Sequence, residues 1–257
     1  STGKLGKGVL PVVLTTGSPE LSANLNDLQL VRLVGDREDT ETVVDGEIEI
    51  AGTLGAMLLT WEYAVAVAGR ILGINPFDQP DVESAKAAAR ALIEHPSAPE
   101  PPAFTVGDIE VRGTKDVVDG VGDLDAAVQK LFALIPADGY LAVHAYVDRV
   151  AHPELAAVRD AIAARVSRPV TFGWGPRFLH STGQFHKGGP AIGVFVQIVA
   201  VGETDLQIPD RPFTFGELIR AQAAGDAAVL AEHGQPVLTL TVRRPAESLP
   251  TIVAALS

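Results

Sequence analysis

The chain has 257 residues, of which 47% are hydrophobic and 20% are charged, and its formal net charge is -12. That negative charge argues against nonspecific nucleic-acid binding, because a phosphate backbone requires a basic face. The lack of cysteine excludes disulfides and thiolate metal sites and is typical of a reducing cytoplasm, which is the location we expect.

The first part of the chain, residues 1–94, begins with apolar runs that predict strands. Residues 8–14 (GVLPVVL) and 28–34 (LQLVRLV) are short and rich in Val and Leu, as buried strands are. The acidic run at 35–47 is predicted to be a solvated connection. Four prolines within residues 95–103 predict a linker, because proline cannot continue a helix.

Two helices are predicted between these strands and the linker. The first runs from Leu54 to about Leu72 and ends at Gly73. Glu62 and Arg70 interrupt its apolar sequence, so we interpret it as a buried helix, with Trp61 in the core, and not as a membrane span. The second helix is predicted to begin after Asp81, whose side chain is suited to cap it.

The second part, residues 104–257, alternates helices and strands. Helices are predicted at 123–135, 153–166 and 214–234, and strands at 140–147, 169–174, 193–201 and 236–242. Such alternation predicts an α/β fold, a layered and mostly parallel sheet flanked by helices. A glycine-rich segment at 175–190 follows a strand, and ligands bind at the carboxyl ends of strands in these sheets.

The stretch from Leu54 to Lys86 resembles the C-terminal signature of phosphoglucose isomerases. A Leu-Gly-Ala helix with an aromatic-Glu pair is followed by Asn-x-Phe-Asp-Gln and then by Val-Glu-x-x-Lys. Asp81 stands where the family usually has glycine. The resemblance implies a sugar-isomerase-like domain in residues 1–94, joined to a C-terminal α/β extension in 104–257. The matching residues are Phe77, Asp78, Gln79, Val82, Glu83 and Lys86.

Two similar octapeptides frame the predicted site. STGKLGKG at 1–8 and STGQFHKG at 181–188 share five of eight positions. The first resembles the family's Glu-Ser-x-Gly-Lys segment, whose Glu is the catalytic base and would stand just before Ser1. The second belongs to Leu-His-Ser-Thr-Gly-Gln at 179–184, which resembles the family's histidine segment displaced downstream.

Residues 175–190 and the helix after Thr214 are similar to the C-terminal region of enzymes that fuse transaldolase to phosphoglucose isomerase. The resemblance therefore implies the C-terminal part of a longer polypeptide, whose upstream isomerase domain supplies the phosphate pocket. It also implies a sugar-phosphate substrate, a homodimer, no metal or organic cofactor, and no nucleic-acid or membrane partner. A transaldolase domain is a further expected partner of the fused form.

The residue types fit the chemistry of such an isomerase. Ring opening requires an acid-base group, which we assign to His180, and a lysine stabilises developing negative charge, which we assign to Lys86. The resemblance implies substrate binding by Gln79, Gln184, His186, Ser1, Thr2, Gly3 and Lys4.

Each assignment has a structural alternative. His180 can be a loop histidine bonded to backbone, Lys86 a solvated helix residue, and Gln79 with Asp78 a means of fixing the turn. His186 is the rival catalytic histidine, and its HKGGP segment can form an amide nest for an anion. A metal pair of His180 and His186 is disfavoured, because the spacing is loose and no third ligand is evident.

The predicted reaction interconverts glucose 6-phosphate and fructose 6-phosphate through a cis-enediolate. The isolated chain is expected to be inactive without its upstream domain. The competing hypothesis is a non-catalytic sugar-phosphate-binding or assembly module of the same fold. A third is an isomerase of another sugar phosphate, such as mannose 6-phosphate.

Overall fold

The computed structural model describes residues 3–23, 25–35, 46–95, 100–202 and 205–257. Ser1, Thr2, most of the acidic connection and residues 96–99 of the linker lie outside these ranges. The first part contains a 3-10 turn (Pro19–Ser22), strands β1 (Val31–Val34) and β2 (Ile48–Ala51), and helices α1 (Leu54–Leu72) and α2 (Pro80–Glu94). The two strands pair in parallel, with Val31 opposite Ile48.

The second part is built on one mixed sheet. Its strands are β3 (Phe104–Val106), β4 (Ile109–Gly113), β5 (Tyr140–Tyr146), β6 (Val170–Trp174), β7 (Gly193–Ala200) and β8 (Val237–Val242). Its helices are α3 (Lys115–Val118), α4 (Leu124–Ala133), α5 (Val158–Val166), α6 (Gly183–Gly188), α7 (Phe215–Glu232) and α8 (Pro245–Leu256). The strand order is β3-β4-β8-β7-β5-β6, in which β8, β7, β5 and β6 are parallel.

The predicted fold class is confirmed: this is an α/β fold with a mostly parallel sheet flanked by helices. All seven residues of β5 are buried, as are the first seven of β7. Strands with both faces covered are continuous apolar runs, which explains why the sequence predicts them well.

The two parts of the chain pack on each other through α2 and α7. Gly225 lies at this crossing, where a Cβ atom would be 2.9 Å from the carbonyl oxygen of Ala85 and from the amide nitrogen of Ala89. The helices approach this closely because α7 has no side chain there. The division into residues 1–94 and 104–257 stays a prediction.

A second anchor joins the opening region to the sheet. Glu20 is only 2% exposed, and its carboxylate contacts the guanidinium of Arg159 on α5. The same carboxylate accepts the backbone N–H of Val170, while Arg159 donates to the Val170 carbonyl over 2.9 Å. The pair therefore ties the Pro19–Ser22 turn to α5 and β6.

Several predictions of elements are wrong. Residues 8–14 form no strand, and Val9 and Val13 are 64% and 88% exposed. Pro11 interrupts that run and has no N–H for a ladder. Asp81 does not cap α2, because Gln79 occupies the cap position and Asp81 lies inside the first turn.

Helix α1 has the predicted bounds and ends at Gly73 in the left-handed conformation, but it is not buried. Trp61, predicted to be core, is 40% exposed. By length and composition α1 is the helix among the described residues that is long and apolar enough to cross a membrane, yet only 6% of that window is buried. Those two criteria are also met by core helices of proteins that cross no membrane.

Candidate functional site

Residues 3–8 of the first octapeptide lie against the second octapeptide, residues 181–188. The side-chain amide of Gln184, on α6, donates to the carbonyl of Gly3 over 2.8 Å, and the N–H of Gly6 donates to the carbonyl of Gly188 over 3.0 Å. A Cβ atom on Gly3 would overlap the Cα of Phe185, so this contact requires glycine. Their sequence similarity thus marks two segments that are in contact.

Gln184 also joins α6 to the start of α2. Its amide oxygen accepts the backbone N–H of Asp81 over 3.0 Å, and its amide nitrogen donates to the Asp81 carboxylate. The first N–H groups of a helix lack partners within the helix, and Gln184 satisfies one of them. Because Gln184 is completely buried and its bonds are made to protein groups, it faces protein and not solvent in this structure.

Lys4 reaches the turn that carries the Asn-Pro-Phe-Asp-Gln motif. The backbones of Lys4 and Lys7 form an isolated antiparallel β-bridge, and Lys4 is 6% exposed. The Lys4 ammonium contacts the carbonyl of Asn75 and the carboxylate of Asp78. Burial lowers the pKa of Lys4, against the opposing effect of the Asp81 carboxylate. Gly3 and Lys4 therefore meet the signature motif, whereas Ser1 and Thr2 lie outside the described residues.

The signature turn is fixed locally. The Asn75 side chain accepts the N–H of Phe77 over 3.0 Å, and Pro80 occupies the first position of α2. Gln79 is half-buried at the cap position and makes no side-chain capping bond. Its amide is thus not used to cap the helix, and its predicted role in substrate binding stays open.

Lys86 lies further along α2 and is exposed. Its ammonium is 2.7 Å from the Glu83 carboxylate, which lowers the pKa of Glu83. An exposed pair of this kind contributes little to stability. Lys86 is therefore free to exchange its partner for a ligand at small cost.

His180 ends the 3-10 turn Arg177–His180 and is exposed. The structure brings Gly3, Lys4, Asp81 and Gln184 together. Among the described residues, it gives His180 no hydrogen bond or ion pair with Lys4 or Lys86. The predicted role of His180 in ring opening stays a prediction.

His186 is a residue of α6, and its side chain is buried. Its Nδ1 atom lies 2.8 Å from the Tyr140 hydroxyl, and its carbonyl accepts the side-chain amide of Gln235. Burial lowers the pKa of His186 well below its usual value, and electrostatic interaction with His144 and Lys187 lowers it further. A neutral imidazole at 1% exposure favours the structural interpretation of His186 over the catalytic one.

An ionic cluster that sequence reasoning missed lies beside His186. The Lys187 ammonium contacts the Asp226 carboxylate, and both side chains are completely buried. The His144 ring stacks on Phe178 with 3.8 Å between centroids, and its Nδ1 atom is 3.3 Å from the other carboxylate oxygen of Asp226. Burial alone would raise the pKa of Asp226, but Lys187 and His144 outweigh it and lower the value to about 2.

This cluster holds α6 in place. A helix of six residues is not stable alone, so tertiary contacts must fix it. Its last residues are held by Lys187 with Asp226 and by His233, whose Nδ1 atom is 2.7 Å from the Lys187 carbonyl. A lone Asp in the alanine-rich helix α7 was the available sequence signal, but nothing in the sequence identified its partners.

A hollow elsewhere on the molecule is not part of this arrangement. It lies near the amino ends of β5 and β6, and its lining includes Phe132, Arg165 and Arg168. Arg165 donates to the Ala255 carbonyl, and Arg168 to the Gly139 carbonyl. Ligands of parallel sheets bind at the opposite, carboxyl ends. No group of metal-ligating side chains is found in the part of the chain that the structure describes.

Comparison with known proteins finds the same family as the signature motif. Residues 19–103, about a third of the chain, match the phosphoglucose isomerase family model. This segment contains Gln79 and Lys86 but ends before His180 and Gln184. A crystal structure of a hypothetical protein from Thermus thermophilus has a TM-score of 0.45 at 13% identity, covering 95% of this chain and 68% of that one.

Short matches to curated enzymes support the same family. The chain is 45% identical over 53 residues to glucose-6-phosphate isomerase of Lactobacillus johnsonii, which is 21% of this chain and 12% of that enzyme. It is 50% identical over 48 residues to the Pediococcus pentosaceus enzyme, 19% of this chain and 11% of that one. The match to the Leptospira biflexa enzyme is 51% over 41 residues, 16% and 9% of the two chains. The chain thus covers about a tenth of these relatives.

Proposed function

We propose that this chain carries part of the active site of a sugar-phosphate isomerase that interconverts glucose 6-phosphate and fructose 6-phosphate. The observation that carries the proposal is the contact of the opening segment with the signature turn, through Lys4 and Asp78. In the family resemblance the first segment follows the catalytic base and the second precedes the catalytic lysine. Two segments with those roles are expected to be neighbours.

Lys86 and His180 have distinct roles in the proposed reaction. The base removes the proton alpha to the carbonyl, and the ammonium of Lys86 stabilises the enediolate oxygen that becomes negative. His180 transfers the proton between the ring oxygen and the first hydroxyl during ring opening. Its exposure supports this assignment over His186, because the transfer requires access to the sugar.

The base itself is assigned to a glutamate before Ser1, and the phosphate pocket to an upstream domain. The chain is then the C-terminal part of an isomerase of the transaldolase-fused type, acting in the cytoplasm as a homodimer. An assay of these 257 residues is expected to show no turnover, whereas a protein extended by an upstream isomerase domain is expected to be active. Turnover by the 257 residues alone would contradict this assignment.

His180→Ala tests the ring-opening role in the extended protein. We expect turnover of the cyclic substrate to fall about 100-fold, the usual scale for loss of a general acid or base. His186→Gln is the comparison variant, and it should retain the pH profile of the parent. Unchanged turnover in His180→Ala would remove His180 from the mechanism.

The second candidate is a non-catalytic sugar-phosphate-binding module. The observation in its favour is that Lys86 pairs with Glu83, and that His180 forms no hydrogen bond or ion pair with Lys86 or Lys4 among the described residues. Calorimetric titration with fructose 6-phosphate distinguishes the two, because a module binds the sugar in an extended protein that does not turn it over. A substrate panel including mannose 6-phosphate tests the third hypothesis.

A further inference from the structure

Helix α1 exposes large apolar side chains on opposite sides. Leu59, Tyr63 and Val67 follow one another at four-residue spacing and are 53%, 67% and 56% exposed. Leu54 and Leu58 lie on the other side of the helix and are 72% and 58% exposed. A helix with large apolar side chains on two opposite sides is typical of the core of a larger structure. Exposed large apolar side chains that are neighbours on one element are typical of an interaction surface.

The neighbouring strands are equally incomplete. The sheet that contains β1 and β2 has only these two strands among the described residues, and they are parallel. Parallel strands normally have helices on both faces, and a two-stranded sheet is marginally stable at best. Leu33 and Ile48 are nevertheless 57% and 49% exposed.

We propose that α1 and the β1–β2 pair form a docking surface for the remainder of a sugar-isomerase α/β domain. The partner adds at least one parallel strand beside the pair and packs apolar side chains around α1. The inference rests on the proposed function in one respect. It takes the partner to be the rest of an isomerase domain. The family match at residues 19–103 contains α1, β1 and β2. The 53 residues matched to the Lactobacillus johnsonii enzyme are only 12% of that protein, so most of that enzyme has no counterpart in the match.

This occupant fits the surface better than a second copy or a lipid bilayer does. A flat contact with a second copy covers one side of α1, but apolar side chains project from two. A bilayer would surround Glu62 and Arg70 with hydrocarbon, which is costly, and it provides no backbone to pair with β1 or β2. A domain remainder satisfies the helix and the strands together.

The test is to join the part of the Lactobacillus johnsonii enzyme that precedes its matched segment to the N-terminus of the full 257-residue chain. Hydrogen exchange of residues 54–72 is then compared in the chain alone and in the extended protein. We expect exchange at these amides to slow at least 100-fold on extension. Leu59→Asp should restore fast exchange in the extended protein, and Val150→Asp, at another exposed apolar residue, should not.

Four results would overturn the proposal. Two concern the extended protein: unchanged exchange of α1, or an appended part that remains unfolded. The other two concern the chain alone: protection of α1 by phosphatidylcholine and phosphatidylglycerol vesicles, or a dimer that Leu59→Asp dissociates. Turnover is read separately from exchange. Protection of α1 without isomerase activity would retain the docking surface and contradict the proposed function.

Discussion

Asp226 keeps its charge in a completely buried position because Lys187 and His144 are both beside it. Removing one partner of such a pair leaves an uncompensated buried charge, which costs about 3–5 kcal/mol. We therefore expect Lys187→Met to lower the free energy of unfolding by about that amount, measured by urea denaturation.

Two further variants control that experiment. Lys115→Met removes an exposed lysine, and its effect should lie within about 0.5 kcal/mol. Lys187→Met combined with Asp226→Leu removes both charges and should cost less than the sum of the single changes. If Lys187→Met alone is as stable as the parent, the buried ion pair does not hold α6.

The two buried histidines predict a dependence of stability on pH. Their pKa values are lowered by burial in the folded state, so the unfolded state binds protons first as the pH falls. The free energy of unfolding therefore has its full value above about pH 6.5. As the pH falls below 6.5, it decreases by up to about 1.4 kcal/mol per pH unit for each histidine. The lowered pKa of Asp226 takes effect only below about pH 4.

Thermal unfolding between pH 8 and pH 5 measures this effect. Below pH 6.5, His186→Gln should reduce the slope of unfolding free energy against pH by about 1.4 kcal/mol per pH unit, which corresponds to one proton. The mutant has no imidazole to protonate at that position. Parallel curves for the parent and His186→Gln would contradict a neutral, buried His186.

At the scale of elements, the crossing of α2 and α7 depends on Gly225. Gly225→Ala places a methyl group against backbone atoms of Ala85 and Ala89, which cannot rotate away. Overpacking of this kind costs about 1–3 kcal/mol. Gly55→Ala, on α1, is the matched control, because nothing lies within 4 Å of its Cβ position. Equal stability of the two variants would show that the helices do not pack at this point.

The sequence predicted the second part of the fold well where strands are apolar throughout. β5 and β7 are examples, since burial on both faces leaves a continuous run of apolar residues. β3 and β4 were missed, because they form a short antiparallel hairpin at the sheet edge with partly exposed residues. α8 was missed as well, and Pro250 inside it conceals the helical pattern.

The site was predicted only in outline. The repeated octapeptide indicated both segments that meet, but not that Gln184 would bond to Gly3 across 181 positions of chain. Contacts so distant in sequence follow from the packing of whole elements. The cluster of Asp226, Lys187 and His144 was hidden for the same reason, and burial of α1 was predicted from composition although the described residues leave it exposed.

For the whole molecule, the described residues separate into a well-covered sheet and an exposed segment. The sheet of residues 104–257 has both faces covered, whereas α1 and the β1–β2 pair, within the family match, are largely solvated. Lys86 lies at the junction, on the helix that packs against α7. If the exposed segment is part of an isomerase, activity depends on a further domain that covers α1 and the β1–β2 pair.

The most direct test of this account is isomerase turnover in the extended protein, comparing Lys86→Ala with Lys115→Ala. We predict measurable conversion of fructose 6-phosphate to glucose 6-phosphate. We also predict that Lys86→Ala lowers kcat/KM by about 100-fold or more, the scale for loss of one charge-stabilising group, with no change for Lys115→Ala. Turnover that is unaffected by Lys86→Ala, or no turnover in an extended protein whose α1 is protected, would contradict the account.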